Sequence, residues 1–285
     1  MAKVARSIPD SCSFSIPGGP EYTRIKSILA REKLRTVCIE ARCPNIGDCM
    51  CRGTATFLLM GPVCTRNCRY CAVEHGAPGA PDPGEPRRVA RAVGQMGLDY
   101  AVITSVTRDD LPDGGAGIFA ETVRLIREIS PGCRVELLVP DFLHADNGAL
   151  ARVLGSRPDV LNHNIEVAGS LFEKLRPMGD YRRSLEVLRS AAEAGYPAKS
   201  GFMVGFGESE RDVYETMRDL RDAGCSLLTV GQYLRSSREG FPVHRYYEPA
   251  EFEEIRKAAA HMGFAAARCG AMVRSSYHAE ELAGC

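Results

Sequence analysis

The stretch Thr56–Cys71, TFLLMGPVCTRNCRYC, decides how the chain folds and where its chemistry lies. It opens with a short apolar run, Thr56–Met60, of the kind that forms a buried parallel strand. Three cysteines, Cys64, Cys68 and Cys71, follow with the spacing Cys-x3-Cys-x2-Cys. In parallel barrels the loops after the strands line the active face, so this thiol-rich loop predicts a reactive centre there.

Apolar runs of similar length recur further along the chain. They are Tyr100–Val106, Arg134–Val139, Val160–Ile165, Lys199–Val204 and Leu227–Val230. Helical patterns separate them, beginning at Pro86, near Ile118, at Tyr181 and at Ser209, with a weaker one over His144–Gly155. This alternation predicts an α/β fold with a parallel sheet and right-handed crossovers.

The number of units favours an incomplete barrel. A full eight-unit barrel needs about 250 residues, whereas roughly 200 are available here, so six units fit better. We therefore predict a partial (β/α)6 TIM-like barrel with an N-terminal extension and a C-terminal tail. A doubly wound sheet is the alternative.

Three segments are expected along the chain: an extension over 1–55, the barrel over 56–247, and a C-terminal helix with its tail over 248–285. The extension carries nine basic and five acidic residues and includes a helical pattern over Tyr22–Val37. Its excess of positive charge predicts that it helps to dock an acidic partner. The last segment begins with a helical pattern over Glu248–Gly263 and ends in RCGAMVRSSYHAEELAGC.

The overall composition excludes several classes of protein. The 285 residues include 36 Lys and Arg against 36 Asp and Glu, which argues against a protein built to bind nucleic acid or an anionic membrane. No apolar run approaches the roughly 18 residues that cross a bilayer. Ser and Pro interrupt the first residues before an apolar signal segment could form, so we expect a cytoplasmic protein.

Crowded cysteines are the most unusual feature. Seven of the twelve fall within 34 residues: Cys38, Cys43, Cys49, Cys51, Cys64, Cys68 and Cys71. Disulfide scaffolds are small and secreted, which fits this chain poorly. Zinc stays open as an alternative, with His75 as a fourth ligand for the second group. Three close thiolates can also cap three irons of a cubane cluster and leave the fourth iron open to a small molecule.

Both cysteine groups lie in recognisable motifs. Cys64-x3-Cys68-x-Tyr70-Cys71 resembles the signature of radical S-adenosylmethionine enzymes, and Cys38-x4-Cys43-x5-Cys49 resembles the second cluster motif of lipoyl synthases. Further matches are RGTATF at Arg52–Phe57, ITSVTRDDLPDGGA at Ile103–Ala116, NHNIE at Asn162–Glu166, KSGFMVGFGE at Lys199–Glu208, GQYLRSSRE at Gly231–Glu239 and VRSSYHA at Val273–Ala279. Since the matches cover about Thr23 to Glu280, the sequence is identified as a member of the lipoyl synthase family.

The resemblance implies a sulfurtransferase that inserts two sulfur atoms, at C6 and C8, into a protein-bound octanoyl-lysine. It implies two 4Fe-4S clusters and S-adenosylmethionine. Cys64, Cys68 and Cys71 would hold the cluster that binds and reductively cleaves S-adenosylmethionine. Cys38, Cys43 and Cys49 would hold an auxiliary cluster that donates sulfur, with Ser276 of the tail as its fourth ligand and Ser275 as the fallback. Tyr70, Asn164, Glu166 and Gly205 are the expected cosubstrate contacts, and Cys51 is expected to be a bystander.

The same resemblance implies several partners. These are octanoylated lipoyl carrier domains (the glycine-cleavage H protein and the acyltransferase subunits of 2-oxoacid dehydrogenases), an electron donor such as flavodoxin or ferredoxin, and an iron–sulfur carrier that rebuilds the auxiliary cluster. We expect a monomer with neither a nucleic-acid nor a membrane partner. Two other functions stay open: a different sulfur-inserting radical enzyme acting on a free small molecule, and a zinc-held binding module.

Two polar groups at predicted strand ends have both a structural and a functional interpretation. Asn162, Asn164 and Glu166 could contact the cosubstrate or substrate, or could form a satisfied structural network. Arg108, Asp109 and Asp110 could likewise form a structural ion-pair loop.

Overall fold

The computed structural model describes residues 16–237 and 239–284, so the part of the predicted extension before residue 16 lies outside it. The chain forms two compact units. The N-terminal unit comprises residues 16–66 and 73–161, and the C-terminal unit comprises 67–72 with the described residues from 162 onward. In the described part of the chain, no helix has the length and apolar character needed to cross a membrane.

Parallel strands flanked by helices make up most of the N-terminal unit. Its helices are α1 Pro20–Arg31, α2 Val37–Glu40, α3 Ile46–Cys51, α4 Glu85–Met96, α5 Ala116–Ile129 and α6 Ala149–Gly155. Its strands are β1 Arg35–Thr36, β2 Phe57–Leu59, β3 Val63–Cys64, β4 Glu74–His75, β5 Tyr100–Ser105 and β6 Arg134–Leu138, and β7 Val160–Asn162 begins in this unit. Strand β5 pairs in parallel with β2 and β6, while β1 is antiparallel to β2.

Buried aliphatic and aromatic side chains explain why these segments form elements. Ile103 and Leu137, on neighbouring strands, are fully buried. Val93 of α4 and Phe119 of α5 are equally buried, because each helix turns its apolar face away from water. The carboxyl ends of β5 and β6 therefore occupy fixed positions, and the loops that follow them start from a rigid base.

The C-terminal unit repeats this pattern. Its helices are α7 Phe172–Leu175, α8 Tyr181–Glu193, α9 Glu210–Asp222, α10 Pro249–His261 and α11 Ala279–Leu282, and its further strands are β8 Ala198–Val204, β9 Leu227–Gln232 and β10 Ala266–Gly270. Strand β9 pairs in parallel with β8 and with β10. Ser209 caps α9 in a capping box with Asp212, as the sequence predicted.

The predicted strands are all present, with ends shifted by a few residues. Strand β10 was not predicted, because its residues form no apolar run; it lies in the segment expected to be a tail and is held by its pairing with β9. The helix predicted over Tyr22–Val37 was too long, since α1 ends at Arg31 and Lys33 has a positive φ of 53°. The weaker pattern over His144–Gly155 corresponds to the shorter α6.

Candidate active site

The first cysteine of the predicted signature lies at a strand end in the N-terminal unit. Cys64 ends β3, which pairs with β4 so that Cys64 lies opposite His75. The Cys64 carbonyl accepts a hydrogen bond from the Gly76 amide at 2.9 Å. Its Sγ accepts one from the Arg66 amide at 3.4 Å, which is the kind of contact that tunes a metal-bound thiolate.

The next two residues tie this part of the loop to the ends of β5 and β6. The Thr65 hydroxyl donates to the Thr107 carbonyl at 3.0 Å. The Arg66 guanidinium forms paired hydrogen bonds to Asp109 at 2.7 and 2.9 Å, and to Asp141 at 2.7 and 2.8 Å. The side chains of Arg66 and Asp141 are 3% and 0% exposed. Burial alone would lower the pKa of Arg66, but the two carboxylates raise it, so the guanidinium stays charged. We call Arg66, Asp109 and Asp141 the arginine clamp.

Arg108 has the structural role that its sequence context allowed. Its guanidinium forms paired bonds with Asp110 at 2.8 and 2.7 Å. It also donates to the carbonyls of Met60 at 3.3 Å and Gly79 at 2.9 Å. Since its side chain is 1% exposed, Arg108 braces the loops within the N-terminal unit. The structural ion-pair interpretation of this segment is confirmed.

The other two cysteines of the signature belong to the C-terminal unit. The Cys71 amide donates to the Cys68 carbonyl at 3.0 Å, which makes this segment a tight turn. Tyr70, inside the turn, lies with its ring centroid 6.1 Å from that of Phe206. Burial raises the pKa of Tyr70 well above its usual value; the positive charge of Arg176 opposes this shift, whereas the charges of Glu166 and both cysteines add to it. The phenol is therefore neutral at physiological pH.

The predicted contacts Asn164 and Glu166 follow β7 closely. Glu166 has φ of 71°, a left-handed conformation that costs a non-glycine residue about 1–3 kcal/mol. Its backbone is held by hydrogen bonds to Gly201 and Met203 at 2.9 and 2.8 Å. The Asn164 Oδ1 atom is buried and has no hydrogen-bond partner among the described residues. Strain together with an unpartnered acceptor is typical of a ligand site rather than of a satisfied structural network.

Arg176 holds this segment in place. Its guanidinium donates to the carbonyls of Asn164 at 3.1 Å and Ile165 at 3.2 Å, and its Cζ atom lies 4.8 Å from the centre of the Phe172 ring. Burial raises the pKa of Glu166, opposed by the positive charge of Arg176 and by a hydrogen bond from Asn164. The site therefore presents a carboxyl group whose proton is unusually strongly held.

The raised pKa of Glu166 predicts how stability depends on pH. A carboxyl group with a higher pKa in the folded state binds more protons there, so stability falls as pH rises from the usual glutamate range, about 4.3, through the folded pKa. Glu166→Gln is therefore expected to raise the melting temperature at pH 7–8 and to change it little near pH 4, as measured by thermal scans of the apoprotein. Glu253→Gln is the matched control, because the hydrogen bond from Arg256 lowers the pKa of Glu253 and so gives the opposite sign. A melting temperature of Glu166→Gln below that of the wild type at pH 8 would contradict the prediction.

Hydrogen bonds to Glu208 hold the backbone of the loop around Gly205. The two carboxylate oxygens of Glu208 accept the amides of Gly205 at 2.6 Å and Phe206 at 2.9 Å, and one also accepts the Tyr247 hydroxyl at 2.9 Å. Gly205 has φ of 111°, and a Cβ atom there would lie 2.8 Å from the Arg245 carbonyl oxygen. Arg245 and Gln232 already occupy the space that a side chain would need, so only glycine fits here. The approach of a cosubstrate to this backbone stays a prediction.

The other cysteine triad lies in and around two short helices of the N-terminal unit. Cys38 is in α2, Cys49 is in α3, and Cys43 lies between them. Burial, with a contribution from Cys43, raises the pKa of Cys38 to about 11, so its thiol is protonated until a metal displaces the proton. Cys51 is exposed, and its thiol donates to the Gly18 carbonyl at 3.0 Å.

The separation of the sulfur atoms in this triad suits a cluster of several irons better than a single metal ion. Within the described residues, one trio of His, Cys, Asp or Glu brings its ligand atoms within 4.8 Å of one another, and it is His278, Glu280 and Glu281. At least one pair of sulfurs in the Cys38 triad is therefore more than 4.8 Å apart, beyond the roughly 3.8 Å that tetrahedral coordination of one zinc at 2.3 Å requires. A cluster with several irons bridges wider separations, so these three donors fit it.

The RSSY tail, Arg274–Tyr277, belongs to the C-terminal unit. The Ser275 hydroxyl accepts a hydrogen bond from the Asn162 amide group at 2.7 Å. Among the described residues, no hydrogen-bond partner exists for the Ser276 hydroxyl, although the side chain is only partly exposed. The sequence resemblance placed the ligand at Ser276 with Ser275 as the fallback, and the structure shows that the two serines differ in their contacts.

Comparison with proteins of known structure identifies the fold. Residues 58–220 match the model of the radical SAM superfamily. Methylornithine synthase has a TM-score of 0.56 at 15% identity, covering 71% of this chain and 61% of that protein. SuiB of Streptococcus suis bound to S-adenosylmethionine has a TM-score of 0.57 at 11% identity, covering 75% of this chain and 50% of that one. The predicted fold class, a partial TIM-like barrel with a mostly parallel sheet, is confirmed.

Closer relatives identify the family. A lipoyl synthase of Rubrobacter xylanophilus is 53% identical over 268 residues, which cover 93% of this chain and 83% of the relative. The lipoyl synthase of Mycobacterium avium is 50% identical, covering 93% and 86% of the two chains. The chain belongs to the lipoyl synthase family. It is therefore an enzyme of the radical SAM superfamily, which implies a 4Fe-4S cluster and S-adenosylmethionine.

The structure divides the predicted site residues of this lipoyl synthase between its units. Six of them, with both tail serines, lie in the C-terminal unit: Cys68, Tyr70, Cys71, Asn164, Glu166 and Gly205. Cys38, Cys43, Cys49 and Cys64 lie in the N-terminal unit. Sequence reasoning missed Arg66, Arg176 and Glu208. Glu208 stands in the quoted KSGFMVGFGE motif and could have been singled out, whereas Arg66 and Arg176 look like ordinary surface charges in the sequence.

Proposed function

We propose that this lipoyl synthase inserts two sulfur atoms, at C6 and C8, into an octanoyl chain amide-linked to a lysine of a carrier domain. The observation that carries the proposal is the presence of two cysteine triads together with an RSSY tail in which Ser275 is engaged and Ser276 is not. A single cysteine triad without the RSSY tail would support only membership of the radical SAM superfamily. Two cysteine triads together with the RSSY tail support a sulfur-inserting enzyme of that superfamily.

Cys64, Cys68 and Cys71 are proposed to hold the first cluster, which, when bound with S-adenosylmethionine, supplies a 5′-deoxyadenosyl radical able to remove hydrogen from an unactivated carbon. Asn164 would orient the cosubstrate through its unpartnered Oδ1, an acceptor suited to an ammonium group. Glu166, held in place by the Arg176 contacts to its neighbours, would add a second acceptor. Gly205 would let the cosubstrate approach the backbone, and the Tyr70 ring would cover the apolar side of the cosubstrate.

Cys38, Cys43, Cys49 and Ser276 are proposed to hold an auxiliary 4Fe-4S cluster that serves as the sulfur donor. Binding of the cluster would remove the proton of Cys38, whose pKa of about 11 otherwise keeps the thiol neutral. A serine oxygen is a harder donor than thiolate and matches iron in a cluster less well. Ser276 would therefore hold iron less firmly than the three cysteines would, which suits a group that gives up sulfur.

We also infer the partners of this reaction. The substrate would be presented by lipoyl carrier domains, the glycine-cleavage H protein or acyltransferase subunits of 2-oxoacid dehydrogenases. Flavodoxin or ferredoxin would supply electrons, and an iron–sulfur carrier would rebuild the auxiliary cluster. The enzyme would act in the cytoplasm as a monomer.

An anaerobic assay tests the proposed function. The reconstituted enzyme is analysed for iron and sulfide, then supplied with an octanoyl-lysyl peptide, S-adenosylmethionine and dithionite. We expect about eight irons per chain and a lipoyl-lysyl product in the mass spectrum. Stoichiometric zinc without iron would support a binding module instead. Two clusters that cleave S-adenosylmethionine without converting the peptide would support a different radical enzyme.

A further inference from the structure

Thr56 lies directly before β2 and beside the first turn of α2, the helix that carries Cys38. Strands β1 and β2 are antiparallel with Thr36 opposite Phe57, and the Val37 amide donates to the Thr56 carbonyl at 3.1 Å. Both Thr56 and Cys38 are buried, at 4% and 5% exposure. The strand pair therefore brings Thr56 close to Cys38 within the N-terminal unit and away from water.

Thr56 donates two hydrogen bonds to the Cys38 sulfur, one from its backbone amide and one from its hydroxyl. Any residue other than proline could make the first bond, whereas the second needs a hydroxyl at this position. Since Cys38 is a ligand of the proposed auxiliary cluster, the hydroxyl would face a thiolate once metal is bound. Hydrogen bonds to cysteine sulfur orient the ligand and contribute to the reduction potential of an iron–sulfur cluster.

Thr54, two residues earlier, uses its donors differently. Its amide donates to the Cys49 carbonyl at 2.9 Å, and its hydroxyl reaches the same carbonyl at 3.4 Å. Thr54 therefore holds the backbone near the end of α3, and Thr56 holds a sulfur. This short segment contacts two of the three cysteines of the triad, one through its backbone and one through its ligand atom.

We infer that Thr56 is a positioning residue of the auxiliary cluster: its amide and hydroxyl fix the direction of the Cys38 sulfur and raise the reduction potential of the cluster bound there. The inference rests on the proposed function, because it assigns Thr56 a task toward that cluster. Reduction adds an electron to the cluster, and a donated hydrogen bond stabilises the added negative charge on sulfur. Burial strengthens this bond and leaves no water to replace a lost donor.

Thr56→Val tests the hydroxyl and leaves the amide in place. Valine is branched like threonine and suits a strand equally well, so the backbone contacts with α2 should be kept. Thr56→Ser restores the donor, and Thr54→Val is the matched control because it removes a hydroxyl from the same segment. Thr56→Ala is the second variant if Thr56→Val does not fold. All are made in the full-length enzyme with Cys64, Cys68 and Cys71 replaced by alanine, so that the auxiliary cluster is observed alone.

Two quantities are measured on each reconstituted variant. A redox titration followed by electron paramagnetic resonance gives the reduction potential of the cluster, and the rate of iron loss to a mild chelator shows how firmly the cluster is held. We expect Thr56→Val to have a more negative potential and to lose iron faster by about tenfold or more, as for other groups behind metal ligands. Thr56→Ser and Thr54→Val should stay close to the parent in both quantities.

Each outcome decides the inference. A parent-like potential in Thr56→Val would overturn it, whether or not iron is lost faster, and so would an equal fall in Thr54→Val. A fall that Thr56→Ser shares would also overturn it, because the hydroxyl would then not be the cause. A folded Thr56→Val that retains no iron, beside a loaded Thr56→Ser, would support it.

Failure of the proposed function gives a different result. A parent that binds no iron–sulfur cluster would refute the proposed auxiliary cluster itself, and the inference with it. A loaded parent whose potential does not respond to Thr56→Val would refute the inference alone.

Discussion

Replacing Arg66 by methionine is expected to destabilise the N-terminal unit by breaking a buried ion pair. The change removes the paired hydrogen bonds to Asp109 and Asp141, and it takes the guanidinium away from the Asp141 carboxylate, whose side chain is 0% exposed. Breaking a buried pair in this way costs about 3–5 kcal/mol. Urea unfolding followed by circular dichroism should show this loss as a lower midpoint.

The chain offers a matched control for the arginine clamp. Arg124 also binds two carboxylates, Glu121 and Glu128, but all three side chains are exposed. Arg124→Met should therefore leave the unfolding midpoint close to that of the wild type, because surface ion pairs contribute little. The double change Arg66→Met with Asp141→Leu should recover part of the lost stability, since it removes the buried carboxylate as well. A wild-type midpoint for Arg66→Met would contradict the prediction.

The arginine clamp also bears on cluster binding. Arg66 stands two residues after Cys64, and its amide donates to the Cys64 sulfur. Loss of the clamp should free this segment, so iron bound by the first triad should be lost to a mild chelator faster than in Arg124→Met. Arg66→Lys is expected to be intermediate, because an ammonium group cannot form paired bonds with two carboxylates at once.

The elements that were predictable from sequence are those whose signal is local. Apolar runs such as Tyr100–Val106 indicate buried strands, and Ser209 with Asp212 indicates the start of a helix. Strand β10 carries no such signal, because all five of its residues are half-buried and include Arg268. Its strand conformation comes from backbone pairing with β9. That pairing depends on the fold and not on the residues of the segment itself.

The same distinction applies to the site. Ligand identity followed from the spacing of the cysteines, because three thiols within eight residues share one loop whatever the rest of the chain does. The contacts that position those ligands were invisible: the clamp joins Arg66 to carboxylates 43 and 75 positions away. A charged residue in sequence predicts a solvated surface, and only folding shows that Arg66 and Asp141 are buried together with Asp109 half-buried beside them.

The two serines of the RSSY tail are expected to give opposite results when each is replaced by alanine. Ser276→Ala should reduce iron retained by the Cys38 triad and lower lipoyl product per turnover by more than about 100-fold, since even groups behind metal ligands contribute 10–100-fold. Ser275→Ala removes one hydrogen bond, to Asn162, and should lower product only severalfold, in keeping with about 1 kcal/mol. Single-turnover assays with an octanoyl-lysyl peptide and iron analysis measure both effects.

Ser276→Cys separates the binding of iron from the release of sulfur. A thiolate holds the iron better than the serine oxygen does, so this variant should retain the auxiliary cluster fully and yet form little lipoyl product. Cleavage of S-adenosylmethionine should continue, because the first triad is unchanged. Full product formation by Ser276→Cys would show that the oxygen ligand is not needed for release. Loss of iron in Ser275→Ala, with Ser276→Ala unaffected, would assign the ligand to Ser275, and the bond from Asn162 would then act on the ligand itself.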